Sequence, residues 1–161
     1  MIKLIDMGIS KGLFDQMLAE QHSDLYIGID TGVHTGYAVW DGKHLEVETL
    51  MIHQAMSKVL ELHKSGKKIA VYIEDPRQRK WFDDAYKSPE QRKLKLQGVG
   101  SVKRDAGIWD DFLKDHNITY FMIPPKRNTT KLSADQFKRL TGYSKRSSEH
   151  ARDAAMLVFG K

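Results

Sequence analysis

The chain has 161 residues, 40% of them hydrophobic and 29% charged, which is enough for one domain with a real core and too little for two large ones. It carries no cysteine, so disulfides, thiolate metal sites and thiol catalysis are excluded. The formal charge of +5 suits a polyanionic partner. Its distribution says more: residues 76–104 hold nine Lys/Arg against three Asp/Glu, and residues 126–146 hold seven against one. Basic charge segregated in this way is what a nucleic-acid channel beside a carboxylate-rich site requires, with a solvated basic face as the alternative. No apolar run approaches the ~18 residues of a membrane-spanning helix. The amino terminus lacks the basic start, apolar core and small-residue cleavage site of a secretory signal. A cytoplasmic location and no membrane partner are therefore expected.

Residues 1–24 read as a helical extension, with Leu13, Phe14, Met17 and Leu18 at helical spacing. Residues 25–161 read as one mixed α/β domain. Leu25 to Ile29 forms a short apolar strand with Asp30 at its end, and Thr31 to Gly36 is a turn with two glycines. Tyr37 to Trp40 returns as a hairpin, and after the Asp41-Gly42 turn His44 to Leu50 alternates as a third antiparallel strand. A helix then runs from Ile52 to His63 and stops at Ser65-Gly66. Lys68 to Ile73 is a buried strand that ends in Glu74-Asp75-Pro76. Ser88-Pro89-Glu90 starts a helix through Leu113, in which Gly98, Gly100 and Gly107 imply a break or a close backbone approach. Ile118 to Ile123 is the fifth strand, followed by a short helix from Ser133 to Leu140 and a last helix from Ser147-Ser148 to Phe159. The expected fold is a mixed five-stranded sheet, three antiparallel strands plus two parallel, flanked by helices.

Two strands thus end in acids, Asp30 and Glu74. The last helix carries Glu149, His150 and Asp153, and spacings of three and four residues put His150 or Glu149 on one face with Asp153. Ala151, Ala154 and Ala155 let that helix approach a sheet closely. Convergent hard ligands repel one another unless cations relieve them, and Mg²⁺ or Mn²⁺ would do so. Two such ions about 3.5–4 Å apart clamp a phosphodiester for hydrolysis. Taken singly, each residue has a plainer reading: a turn acid at Asp30, a salt-bridged Glu74, a surface His150, and an Asp153 paired with Arg152 or a lysine. Trp81, Phe82 and Tyr86 among Arg77, Arg79 and Lys80 offer bases something to stack on, or pack on a partner chain.

The ordered set of motifs resembles the RuvC-type Holliday junction resolvases of the RNase H and retroviral-integrase superfamily. GIDTGVHTGYAVW is similar to their first motif and IEDP to their second acid at a strand end. LQGVGSVKRDAGIW resembles the glycine-containing helix that follows, and EHARDAAML the closing helix. The resemblance covers roughly residues 25–160. It implies an RNase H-like fold, a homodimer, two divalent ions per site (Mg²⁺, with Mn²⁺ substituting), and cleavage of four-way or other branched DNA to 5′-phosphate and 3′-hydroxyl ends. By position in these motifs, Asp30, Glu74, His150 and Asp153 would be metal ligands, with Glu149 a rival to His150. Lys131 would lie near the scissile phosphate. Many such relatives have Asp where this chain has His150 and others have His, and an imidazole there makes Mn²⁺ comparatively favourable. Arg77, Arg79, Lys80, Trp81, Phe82, Lys126, Arg127, Lys145 and Arg146 are the expected DNA contacts.

A sugar kinase or actin-like ATPase also opens with a hairpin bearing Asp-x-Gly, but needs a duplicated domain that this chain lacks, and no GxxxxGK phosphate loop is present. A related nuclease acting on structured RNA, and a binding-only scaffold, are the remaining readings. Fold analogy alone does not choose among these substrates.

Overall fold

The computed structural model describes residues 11–79, 88–126 and 131–161. Helix α1 (Lys11–His22) leads into β1 (Leu25–Asp30), β2 (His34–Trp40) and β3 (Leu45–Met51). Helix α2 (Ile52–Lys64), β4 (Ile69–Glu74), a single 3₁₀ turn (Pro76–Gln78), α3 (Pro89–Asp115), β5 (Tyr120–Ile123), α4 (Ala134–Thr141) and α5 (Glu149–Ala155) follow. The sheet order is β3-β2-β1-β4-β5. Strands β1 to β3 pair antiparallel, while β4 and β5 join parallel to β1. This is the mixed five-stranded layout expected from the sequence.

Strand alternation divides the core into two layers. Leu25, Ile27, Ile29, Ile69, Val71 and Ile73 face Ala55 and Val59 of α2 and Trp109 and Leu113 of α3. The alternate residues Tyr26, Ala70 and Tyr72 face Phe137 of α4 and Ala151, Ala154 and Ala155 of α5. β1 and β4 are buried along nearly their whole length, as strands covered on both faces should be.

Three local expectations change. The first hairpin turn is shorter, because β2 begins at His34 and includes Thr35 and Gly36. Thr35 is fully buried and its hydroxyl donates to the Gly32 carbonyl at 2.7 Å, which closes the turn early. Helix α3 is unbroken over its 27 residues despite three glycines. Its first turn is well specified: Ser88 Oγ accepts from the Gln91 N–H, and Pro89 follows the cap. Nothing lies within 4 Å of a side chain built at Gly98 or Gly100, so among the described residues neither marks a close approach. Finally α5 ends at Ala155 rather than Phe159. The chain tightens there into bonds from Leu157 N–H to Ala154 and from Val158 N–H to Ala155.

Candidate functional site

Strand parity decides where the two strand-end acids point. Asp30 follows Tyr26 and Gly28 on the α5 side of β1, and Glu74 follows Ala70 and Tyr72 on the same side of β4. Ile29 pairs with Ile73, so the next residue of each strand brings Asp30 beside Glu74. Thr31, itself buried, ties the two strand ends together by donating its hydroxyl to the Glu74 carbonyl at 3.2 Å.

Helix α5 reaches this corner because two glycines let its backbone lie on the sheet. A Cβ at Gly28 would come within 2.0 Å of the Ala154 carbonyl oxygen, and one at Gly36 within 2.0 Å of that of His150. The helix starts with Ser148, whose Oγ accepts from the Ala151 N–H at 3.0 Å, and the Ser148 hydroxyl also meets that of Thr49 on β3. So placed, His150 Nδ1 lies 2.8 Å from Asp30 Oδ2. Of the two rivals on this helix it is His150 that contacts Asp30. Glu149 instead pairs with Lys131.

Lys131 is brought in by Arg152, a residue that the sequence suggests only as a partner for Asp153. Arg152 donates from Nε to the Leu132 carbonyl and from Nη1 to the Ser147 carbonyl, both at 2.8 Å, and so ties Leu132, next to Lys131, to α5. Lys131 Nζ then sits 3.2 Å from Asp153 Oδ2. Sequence spacing gives no sign of this link, because its partners are 20 residues apart.

The electrostatics are unbalanced. Burial pushes the Asp30 carboxyl above the usual carboxylate range, and the Asp153 charge adds to this, while the bond and charge of His150 and the charge of Lys131 oppose it. Burial also raises Glu74, reinforced by the charges of Asp30 and Asp153 against weaker help from Arg79 and Lys131. Three carboxylates therefore feel one another across one corner of the sheet. The side chains of Asp30 and Asp153 keep only 16% and 22% of their surface.

The donors suit a hard divalent cation: carboxylate oxygens with one imidazole nitrogen. Among the described residues, however, no three Asp, Glu or His side chains are gathered closely enough to hold one ion as they stand. His150 and Lys131 occupy carboxylate oxygens that an ion would use.

Of the expected nucleic-acid contacts, Lys126, Lys145 and Arg146 are exposed. Arg79 acts electrostatically on Glu74. Arg77 is turned inward onto Asp75 and Asp110. Lys80, Trp81, Phe82, Tyr86 and Arg127 lie outside the described residues. No described helix is long and apolar enough to cross a membrane. Compared with protein-family models and with curated proteins, the chain finds no match.

Proposed function

We propose that this chain is a metal-dependent endonuclease of the RuvC-like, RNase H-fold type that acts on branched DNA. The observation that carries the reading is the meeting of Asp30, Glu74 and Asp153 on one face of the sheet, where the Asp153 charge makes Asp30 costlier to ionise and the Asp30 and Asp153 charges do the same to Glu74. Proteins rarely bury like charges together without a cationic ligand to relieve them. The strand order and the mixed pairing support the fold assignment that the motifs imply.

Asp30, Glu74 and Asp153, with His150 as the nitrogen donor, would hold Mg²⁺ or Mn²⁺. When bound, the ions supply charge neutralisation at the scissile phosphate and an acidified water. The chain's own groups do the rest. Lys131, withdrawn from Asp153, becomes available to a phosphate oxygen. His150, hydrogen-bonded to Asp30, fixes the orientation of that carboxylate. Lys126, Lys145, Arg146 and Arg79 would contact backbone phosphates and give binding a steep salt dependence. Two copies acting together would deliver the paired cuts that a four-way junction needs, which makes a homodimer part of the reading.

The test is cleavage of a synthetic four-way junction beside a matched linear duplex and a structured RNA, with Mg²⁺, Mn²⁺ or EDTA. Paired symmetrical nicks that need the ion are expected, and Asp30→Asn should lower the rate on the order of 10³-fold. Equal cutting of junction and linear duplex would reduce the protein to a general nuclease, and preference for the RNA would move it to that substrate. Junction binding without cutting under any ion would leave a scaffold.

A further inference from the structure

Arg77 opens the basic block that follows β4, a position suggesting a nucleic-acid contact. Its surroundings argue otherwise. The Asp75 carboxylate is almost fully buried and receives four N–H groups. Arg77 supplies its backbone N–H at 3.0 Å, Nε at 2.8 Å and Nη2 at 3.0 Å, and Gln78 Nε2 adds a fourth at 3.2 Å. Arg77 Nη2 also reaches Asp110 Oδ2 on α3 at 3.2 Å. Asp110 is itself held by Lys114 at 3.0 Å and by the Tyr120 hydroxyl of β5. A side chain at Gly107 would come 3.8 Å from Arg77 Nη1, so the guanidinium lies along the surface of α3. Gln78 donates to the Met122 carbonyl at 3.1 Å, and the Asp75 N–H to that of Ile123 at 2.8 Å.

We propose that Arg77 is a positioning residue for Glu74 and not a phosphate contact. Glu74 and Asp75 are consecutive residues at a strand end, so their side chains leave on opposite faces and neither can roll without the other. By clamping Asp75 to Asp110 of α3, which Tyr120 of β5 also holds, Arg77 fixes the rotation of the strand end and with it the direction in which Glu74 faces Asp30. The clamp uses the planar fork of arginine, with two nitrogens on two carboxylate oxygens, which a lysine ammonium does not reproduce. This inference rests on the reading of the Asp30–Glu74–Asp153 corner as a cation site.

Two measurements on the full chain test it, with Arg77→Ala, Arg77→Lys and, as a milder variant that spares the Asp75 fork, Asp110→Asn. The first is four-way-junction affinity in EDTA across a salt series. The second is calorimetric titration with Mn²⁺ in the absence of DNA. A positioning role predicts an unchanged salt slope in all three variants. It also predicts Mn²⁺ affinity weakened about 10-fold or more in both Arg77 variants, without rescue by lysine, and a smaller loss in Asp110→Asn. A salt slope reduced by about one unit in Arg77→Ala and restored in Arg77→Lys would make Arg77 a phosphate contact and overturn the proposal. Mn²⁺ affinity equal to wild type in the Arg77 variants would overturn it alone. Absence of Mn²⁺ binding by the wild type would overturn the cation reading beneath it.

Discussion

Glu74 and Asp75 stand side by side in the chain and face opposite electrostatic worlds. Burial raises both carboxyls, but around Asp75 the bonds from Arg77 and Gln78 outweigh it, and the group sits below the usual carboxylate range. Asp110, at the outer end of the same network, is held low chiefly by the Tyr120 hydroxyl, with Lys114 and Arg77 adding to it. Around Glu74 the neighbours are Asp30 and Asp153, and the group is driven up instead. One side of β4 has its charges settled by groups from the same chain. The other side retains an excess of negative charge that His150 and Lys131 only partly offset. The difference separates a cluster whose charges the fold itself settles from one whose like charges, on the proposed reading, await a cation.

Lifting α5 away from the sheet would break this contrast most severely. In Gly36→Ala the new Cβ meets the His150 carbonyl oxygen, so the helix must move or the strand must bend. The expected loss is about 2 kcal/mol. Thermal melting should show a fall of about 4–8 °C, and cleavage should fail because His150 and Asp153 leave the corner. The exposed Gly98 of α3 is the control. Gly98→Ala meets nothing within 4 Å, and a melt should show it stabilised by about 0.5–1 kcal/mol with cleavage intact.

A smaller and more specific effect comes from neutralising the unsettled side. The folded-state pKa of Glu74 is raised, so between the unfolded and folded values the folded protein holds on to a proton that the unfolded chain has released. Its contribution to stability is present in full below the unfolded value of 4.5 and is lost as pH rises through the folded value. Glu74→Gln removes that loss. In metal-free buffer the variant should melt higher than wild type at pH 7, by a few degrees at most, and the difference should disappear at about pH 4. Melting curves across this range check the sign, and a variant less stable than wild type at pH 7 would remove the unsettled charge from the account.

Much of this was legible in the sequence. Alternation along Leu25–Asp30 and Ile69–Glu74 gives both strands, and an acid at the same end of each gives two members of the corner. Helical spacing supplies His150 and Asp153. What spacing cannot give is the set of contacts made across the fold. A close backbone approach is open to Gly36 as a turn glycine, but that α5 is what approaches, and that it lies on Gly28 as well, is seen only in the fold. Thr31 meets a carbonyl 43 residues away, and Arg152 holds the Lys131 segment from the far side of a loop. Arg77 carries the same formal charge whether it faces phosphate or Asp75, and only its partners distinguish the two. The glycines of α3 misled in the other direction, since helix continuity there is secured by a good amino-terminal cap and by the packing of Trp109 and Leu113.

The central claim is that the Asp30–Glu74–Asp153 corner is held ready for a divalent cation. Its most direct test is the melting temperature of wild type and Asp30→Asn at pH 7.5 with increasing Mn²⁺. A ligand that binds only the folded state stabilises by about 2.7 kcal/mol at 100 times its dissociation constant. The account predicts a concentration-dependent rise for wild type, absent in Asp30→Asn. An equal shift in both proteins, or none in either, would contradict it.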